Sequence, residues 1–399
     1  MAAPEYEDEP LTFDGLTEDA LRTGGSLKWT RYGSAIGAFV AEMDFGTAPV
    51  VRRALHDAVD GGRLGYLTTE AAADMARACA RWQQERYGWT VPAEWITPLA
   101  DVVAGLQAAI EHFTPPGGAV VLPTPAYMPF LKVPEALGRE LIEVPMVERD
   151  GRMTYDLHGI ARAFAAGGRL FVHVNPHNPL GRVFDVEEQL ALAEVVDAAG
   201  VRVFSDEIHA PLVHPGAVHR PYASLSPLTA SHTVTATSAS KAWNLAGLKA
   251  AHLLLSNADD AATWSEAGFL FGHGASTPGV LASTVAYDQG GPWLDGVLTY
   301  LDGNRRLLAD LLAERLPRVR YRPPEGTYLA WLDCRELGLR ETAGTFFLEQ
   351  AGVALVDGPE CGSPGAGHVR LNFATPRPVL TTMVDRMATA VAGAAPQSY

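Results

Sequence analysis

Between residues 119 and 256, short apolar runs alternate with longer amphipathic ones, and this alternation restricts the fold more than any other feature of the chain. Ala119–Leu122, Glu140–Val144, Leu170–Val174, Val201–Ser205, Thr233–Thr237 and His252–Ser256 read as short buried strands, most of them bounded by Gly, Pro, Asn or Asp. The segments between them read as helices. One starts at Asp185, which suits an N-cap, has Glu188 three positions on, and runs through Val196. Such an order implies an α/β fold with a mostly parallel sheet covered on both faces. After about residue 290 the pattern changes. Trp293–Glu314 reads as a long helix with an apolar face of Leu294, Val297, Leu298, Leu301, Leu308 and Leu312. Short strands near Val319–Tyr321, Tyr328–Leu332 and Val369–Asn372 and helices at Ala343–Gln350 and Val379–Val391 make an α+β unit. A chain of 399 residues, 47% apolar, is long enough for two such domains or one large one.

Polar residues collect just past the strands, where open α/β sheets bind ligands. Thr233–Thr237 runs into Ser238-Ala-Ser240-Lys241, with Lys249 further on. A lysine on a polar turn, partly shielded from water, can lose its proton and attack a carbonyl. Ser238, Ser240 and Lys249 can hold a phosphate beside it. The combination suits a lysine carrying pyridoxal phosphate; it also fits a surface lysine in a Ser/Ala loop. Val201–Ser205 ends at Asp206, which can pair with a pyridine nitrogen and keep it protonated, or can cap the following turn. Leu170–Val174 leads into Asn175-Pro-His-Asn178-Pro-Leu-Gly-Arg182, where the Asn178 amide can donate to a phenolic oxygen or serve as a turn residue. Val102 and Val103 open a helix running to His112, and free N–H groups at such a start bind phosphate. Asp101 before them is a good N-cap, yet it brings a negative charge.

Asn-Pro-His-Asn-Pro-x-Gly-Arg, Ser-Asp-Glu-Ile-His and Ser-x-Ser-Lys-x-x-Asn-x-Ala-Gly-Leu, in this order and spacing, resemble the fold type I pyridoxal phosphate enzymes. Within them the chain is most similar to the MalY/PatB branch of C–S β-lyases, cystathionine β-lyase-like members of the class I/II aminotransferase superfamily. Val40–Phe45, Gly65-Tyr66, Pro123–Phe130 and Gly367–Phe373 match further segments of that branch, so the resemblance covers roughly residues 26–390. It implies a large cofactor domain over residues 46–289 and a small domain formed by residues 1–45 and 290–399. It implies that Lys241 bonds the coenzyme and acts as base at Cα, that Asp206 holds the ring nitrogen and Asn178 the phenolic oxygen, and that Tyr127 stacks on the ring. Ser238, Ser240, Lys249 and the backbone of Val102 and Val103 would hold the phosphate, and Arg370 with Asn178 the substrate carboxylate. Tyr66 would reach the phosphate of a neighbouring subunit, which implies a homodimer with a shared site. Asp44 matches a signature segment, and a structural role is expected for it. The reaction implied is β-elimination from L-cystathionine, L-cysteine or a cysteine S-conjugate, giving thiol, pyruvate and ammonia. Tyr127, Tyr66 or Lys241 would protonate the leaving sulfur. The same constellation serves an aminotransferase, and a third reading is a protein of this fold that acts by binding a partner; the intact set Asn178, Asp206, Lys241 and Arg370 argues against that one.

Charge narrows the partners. At −15 the chain disfavours nucleic acid and anionic membranes, which need a positive face. Cys79, Cys334 and Cys361 are odd in number and far apart, so no disulfide framework is expected. The acidic start Met1–Pro10 lacks an apolar h-region and no run is long enough to span a bilayer, from which a cytoplasmic protein without a signal peptide is expected. His209, His214 and His219 are interrupted by Pro211 and Pro215 and share no helical face, so no metal site is expected there. Pro115-Pro-Gly-Gly118 lacks the flanking order of a nucleotide-binding loop, and no G-x-S-x-G elbow occurs. Cys361–Gly367 reads as a flexible loop near the site mouth.

Overall fold

The alternating segments form one seven-stranded sheet in a computed structural model that describes residues 12–394. The acidic start on which the signal-peptide expectation rests lies outside the described residues. The strands are β1 Ile96–Leu99, β2 Ala119–Thr124, β3 Leu141–Pro145, β4 Gly168–Val174, β5 Arg202–Asp206, β6 Thr233–Thr237 and β7 Ala251–Leu255. Their order across the sheet is β1-β7-β6-β5-β4-β2-β3. Only β7 runs against its neighbours; the other pairings inside the sheet are parallel. β1 has no counterpart in the sequence reading. It contains Pro98, which argues against a central strand but is tolerated at the sheet edge that β1 occupies.

Side chains alternate between two cores, as a period of two requires. Val120, Leu122, Leu170, Val172 and Phe204 pack on one face with Leu106, Ala109 and Ile110 of helix α1, Val102–His112. Val121, Phe171 and Val203 pack on the other with Ile160 and Phe164 of α2, Leu157–Ala165, and Leu192 and Val196 of α3, Val186–Ala199. α3 opens with the expected capping box, Asp185 and Glu188 each bonding the other's backbone N–H. α1 lies close on the sheet: a Cβ on Gly105 would come within 2.9 Å of Ala236 Cβ. That approach sets the height of the α1 N-terminus over the sheet.

The C-terminal part holds a four-stranded antiparallel sheet, β8 Arg320–Tyr321, β9 Leu329–Asp333, β10 Val356–Asp357 and β11 His368–Asn372, in the order β8-β9-β11-β10. Helices α4, Gly291–Arg315, and α5, Arg377–Gly393, pack beside it. On α4, the expected Leu294, Val297, Leu301, Leu308 and Leu312 are buried, and Leu298 is half-buried against the same core. The helix expected at Ala343–Gln350 is α-helical through Phe346 and continues as a π-turn, Phe347–Ala351, that ends at Gly352 with φ 61°. The Cys361–Gly367 segment, expected as a flexible loop, is built of compact turns over Gly358–Cys361 and Ser363–Gly365, with Cys361 and Gly365 buried. The Cys361 carbonyl also accepts from Ala126 N at 2.8 Å.

The N-terminal segment joins this part through a short parallel pairing of Ile36–Gly37 with Val353–Ala354. It is latched by a buried ion pair, Lys28 Nζ to Asp44 Oδ2 at 2.8 Å, and Trp29 Nε1 donates to Asp44 Oδ1 at 2.8 Å. Asp44 is therefore a structural anchor.

Candidate active site

Adjacent strands each deliver one polar side chain to the same edge of the sheet. Lys241 lies four residues past the end of β6, Asp206 is the last residue of β5, Asn178 lies four past β4 and Tyr127 three past β2. These four strands are consecutive in the sheet. β1 leads to Asp101 and the start of α1 at the same edge, and Lys249 sits just before β7, whose reversed direction puts its beginning there. All these residues line one cavity of about 730 Å³, closed from the other side by Val40, Ala41, Leu355 and Arg370.

Lys241 Nζ donates to the Ala41 carbonyl at 3.0 Å, which Tyr328 Oη also bonds at 3.0 Å. No carboxylate pairs with the amine among the described residues. Burial draws its pKa down to about 8, the Arg370 cation adds to the shift, and Glu42 and Asp206 oppose it. Asp206 is buried and accepts from Ile208 N at 3.0 Å. Burial pushes its carboxyl up to about 7, the Ile208 hydrogen bond opposes this, and Glu207 adds to the rise. A carboxylate in that position gains from a cationic partner. Arg370 is buried on β11; its Nη1 donates to Asn178 Oδ1 at 3.0 Å and its Nη2 to the Phe39 carbonyl at 2.7 Å, while Nε has no partner among the described residues. With its oxygen turned to Arg370, the Asn178 amide keeps its NH₂ free to donate. Burial raises the Tyr127 hydroxyl above its usual range, so it stays protonated at neutral pH.

The other end of the cavity suits an anion. The Val102 and Val103 N–H groups stand in the first turn of α1, where no acceptor exists within the helix. Asp101 caps that turn, its Oδ1 accepting from Ala104 N at 2.9 Å, and its Oδ2 pairs with Lys249 Nζ at 3.0 Å. The negative charge that the sequence brings here is thus neutralised locally. The serines differ. Ser238 is buried, donates to the Ala250 carbonyl at 2.7 Å and accepts from Ser240 N at 3.0 Å, so its proton is committed to the turn. Ser240 Oγ makes no hydrogen bond among the described residues and faces the cavity.

Tyr66 is 94% exposed and does not line this cavity. His209, considered in the sequence only within a histidine trio, is in the cavity wall. Burial pulls it down to about 3, with Lys241 and Arg370 adding to the shift, so it is neutral. His214 bonds the Thr327 carbonyl at 2.8 Å and His219 bonds Glu207 at 3.2 Å, so the trio diverges. Arg31, Tyr32 and Phe39 also line the cavity and were not singled out by the sequence. Only their approach along the Ile36–Gly37 pairing brings them there, and no local pattern marks it.

A neutralisable amine, a carboxyl in want of a cation, a free amide NH₂, a tyrosine and an anion cradle fit pyridoxal phosphate in one orientation. The model of the aminotransferase class I and II family matches residues 39–387. The chain belongs to that family, and its architecture is fold type I of the pyridoxal phosphate enzymes. It is 38% identical over 379 residues to a cystathionine β-lyase of Corynebacterium glutamicum, covering 95% of this chain and 99% of the relative. It is 36% identical over 356 residues to the cystathionine β-lyase PatB of Bacillus subtilis strain 168, covering 87% and 92%. Among solved structures, a PLP-bound C–S lyase of Staphylococcus hominis is similar at a TM-score of 0.87 and 30% identity, covering 94% of this chain and 97% of that one.

Proposed function

We propose that the chain is a pyridoxal phosphate-dependent C–S β-lyase that acts on L-cystathionine, L-cysteine or cysteine S-conjugates. The observation that carries the reading is the convergence of Lys241, Asp206, Asn178 and Arg370 in one cavity, with the lysine held near neutrality at about 8. The similarity to relatives named as C–S lyases supports the same reaction class.

When bound, the coenzyme supplies a protonated ring that draws electron density from the substrate Cα. Asp206 would hold the proton on the ring nitrogen. Asn178 would donate to the phenolic oxygen, Tyr127 would cover one ring face, and Ser240, Lys249 and the Val102 and Val103 N–H groups would hold the phosphate, while Ser238, whose proton goes to the Ala250 carbonyl, shapes the turn that presents Ser240. Arg370, already oriented through Asn178 and Phe39, clamps the substrate carboxylate with a planar fork. Lys241 removes the Cα proton, a transfer that contributes roughly 10²–10⁴-fold when well placed. Overall the Cβ–S bond breaks, sulfur leaves with the electron pair as thiolate, and one water completes conversion to pyruvate and ammonia. Tyr127, Tyr66 of a neighbouring subunit or returning Lys241 would protonate the sulfur.

The reading extends to a cytoplasmic homodimer and to a division into residues 46–289 and residues 1–45 with 290–399. The large exposed side chains Leu64, Tyr66, Phe269 and Leu270 are consistent with a dimer in which Tyr66 would complete the neighbouring site. Incubation of the purified protein with coenzyme and L-cystathionine, without any keto acid, tests the reaction. Pyruvate and free thiol accumulate over many turnovers; conversion that requires an added keto acid replaces this reading with an aminotransferase.

A further inference from the structure

The cavity extends beyond the residues that its chemistry uses. Its outer wall is formed by Arg31, Tyr32 and Phe39 from the N-terminal segment, Met128 and Lys132 from the turn after β2, and Leu355. Phe39 is tied to the carboxylate clamp, because its carbonyl accepts from Arg370. Its ring meets Tyr32 edge-on, with centroids 5.0 Å apart and planes at 89°. The Arg31 guanidinium lies over both rings, 5.6 Å from Tyr32 and 5.9 Å from Phe39. Met128 Sδ is 3.9 Å from Arg370 Nη1. A substrate held by Arg370 therefore has aromatic and thioether surface beside whatever its Cβ carries.

Charge separates this wall from the rest of the molecule. Arg31 and Lys132 are exposed at the mouth and have no carboxylate partner among the described residues. Among the described residues the cavity is lined by three carboxylates: Asp101 and Asp206 belong to the coenzyme end, and Glu360 already accepts from Asp357 N at 3.2 Å. Two cations against one carboxylate, in a chain of net charge −15, form a local reversal of sign.

We propose that the outer wall is a subsite for the thiol half of the substrate, selecting cysteine S-conjugates whose thiol has an apolar or aromatic body ending in a carboxylate. The inference rests on the lyase reading and deepens it. An aromatic body packs edge-to-face on Tyr32 and Phe39, and its acid meets Arg31 and Lys132. A zwitterionic distal end fits less well, since its ammonium faces two cations and a partly occupied carboxylate.

The test compares S-(para-carboxybenzyl)-L-cysteine, S-benzyl-L-cysteine and S-methyl-L-cysteine with the coenzyme-loaded protein. Pyruvate release gives kcat/KM, and the change in coenzyme absorbance on titration gives Kd. Both rank the carboxybenzyl conjugate first and the methyl conjugate last. In R31A/K132A the carboxybenzyl-to-benzyl ratio falls roughly fivefold to tenfold, the scale of one or two exposed charge pairs. In Y32A the benzyl-to-methyl ratio falls instead. Equal values for the three conjugates, or ratios unmoved by these substitutions, overturn the subsite. Absence of pyruvate from all three with the Kd ranking preserved overturns the lyase reading and leaves the subsite standing.

Discussion

Lys28 and Lys241 are both drawn away from bulk water, and their surroundings treat them differently. Lys28 meets Asp44 at 2.8 Å and the Ala374 carbonyl at 3.1 Å, and Asp44 is bonded in turn by Trp29. Every charge there has an answer, and the cluster pins the N-terminal segment. Among the described residues Lys241 meets only the Ala41 carbonyl, beside a carboxyl that burial pushes up to about 7 and a buried arginine with one unpartnered nitrogen. That region is left in deficit, and the deficit is what a cofactor and a substrate fill. Satisfied burial makes an anchor; unsatisfied burial makes a site.

Substitutions can break or sharpen this contrast. The largest effect is expected for Lys241→Ala. Turnover falls by at least roughly 10²–10⁴-fold, the contribution of a positioned proton carrier. The absorbance due to coenzyme bonded to the lysine disappears, and its retention would show that another amine does the work. Next, Asp44→Ala strands Lys28 in the interior and lowers unfolding free energy by about 3–5 kcal/mol. Lys28→Met with Asp44→Leu recovers most of that loss in urea titration if the pair only anchors.

Asp206→Asn follows, with opposite signs in two assays. Burial lets the folded carboxyl keep its proton up to about pH 7, against an ordinary value of 3.8. Folding takes up a proton in that window, so stability falls as pH rises through it. The substitution removes that loss and raises the stability of the coenzyme-free protein by roughly 2–4 kcal/mol above neutral pH, with no gain in acid below the unfolded value. Turnover by the loaded protein drops at the same time. A stability gain independent of pH would break the account of Asp206. The smallest effect belongs to Lys249→Ala. Its pair with Asp101 is exposed, so stability moves by less than about 1 kcal/mol while coenzyme affinity weakens.

The chain wrote its floor legibly and its roof hardly at all. Asn178, Asp206 and Lys241 each follow their own strand within a few residues, so strand and turn signals located them together. The apolar period also gave both faces of the sheet. β1 escaped because Pro98 disguises an edge strand. The roles of Asp101 and Lys249 stayed open because their pairing joins residues 148 positions apart. Ser238 looked equivalent to Ser240 until its bond to Ala250 separated them. Arg31, Tyr32 and Phe39 come to the cavity by a pairing with a strand from the far end of the chain, which no local pattern records.

The register of the central strands has a further consequence. Val174 stands opposite Asp206, and Asp206 opposite Ala236. Sliding β5 by a single residue would send the Asp206 carboxylate through to the reverse side and present Ser205 or Glu207 instead, depending on the direction. Which group meets the ring nitrogen is therefore written in the ladder joining three strands, and not in β5 alone.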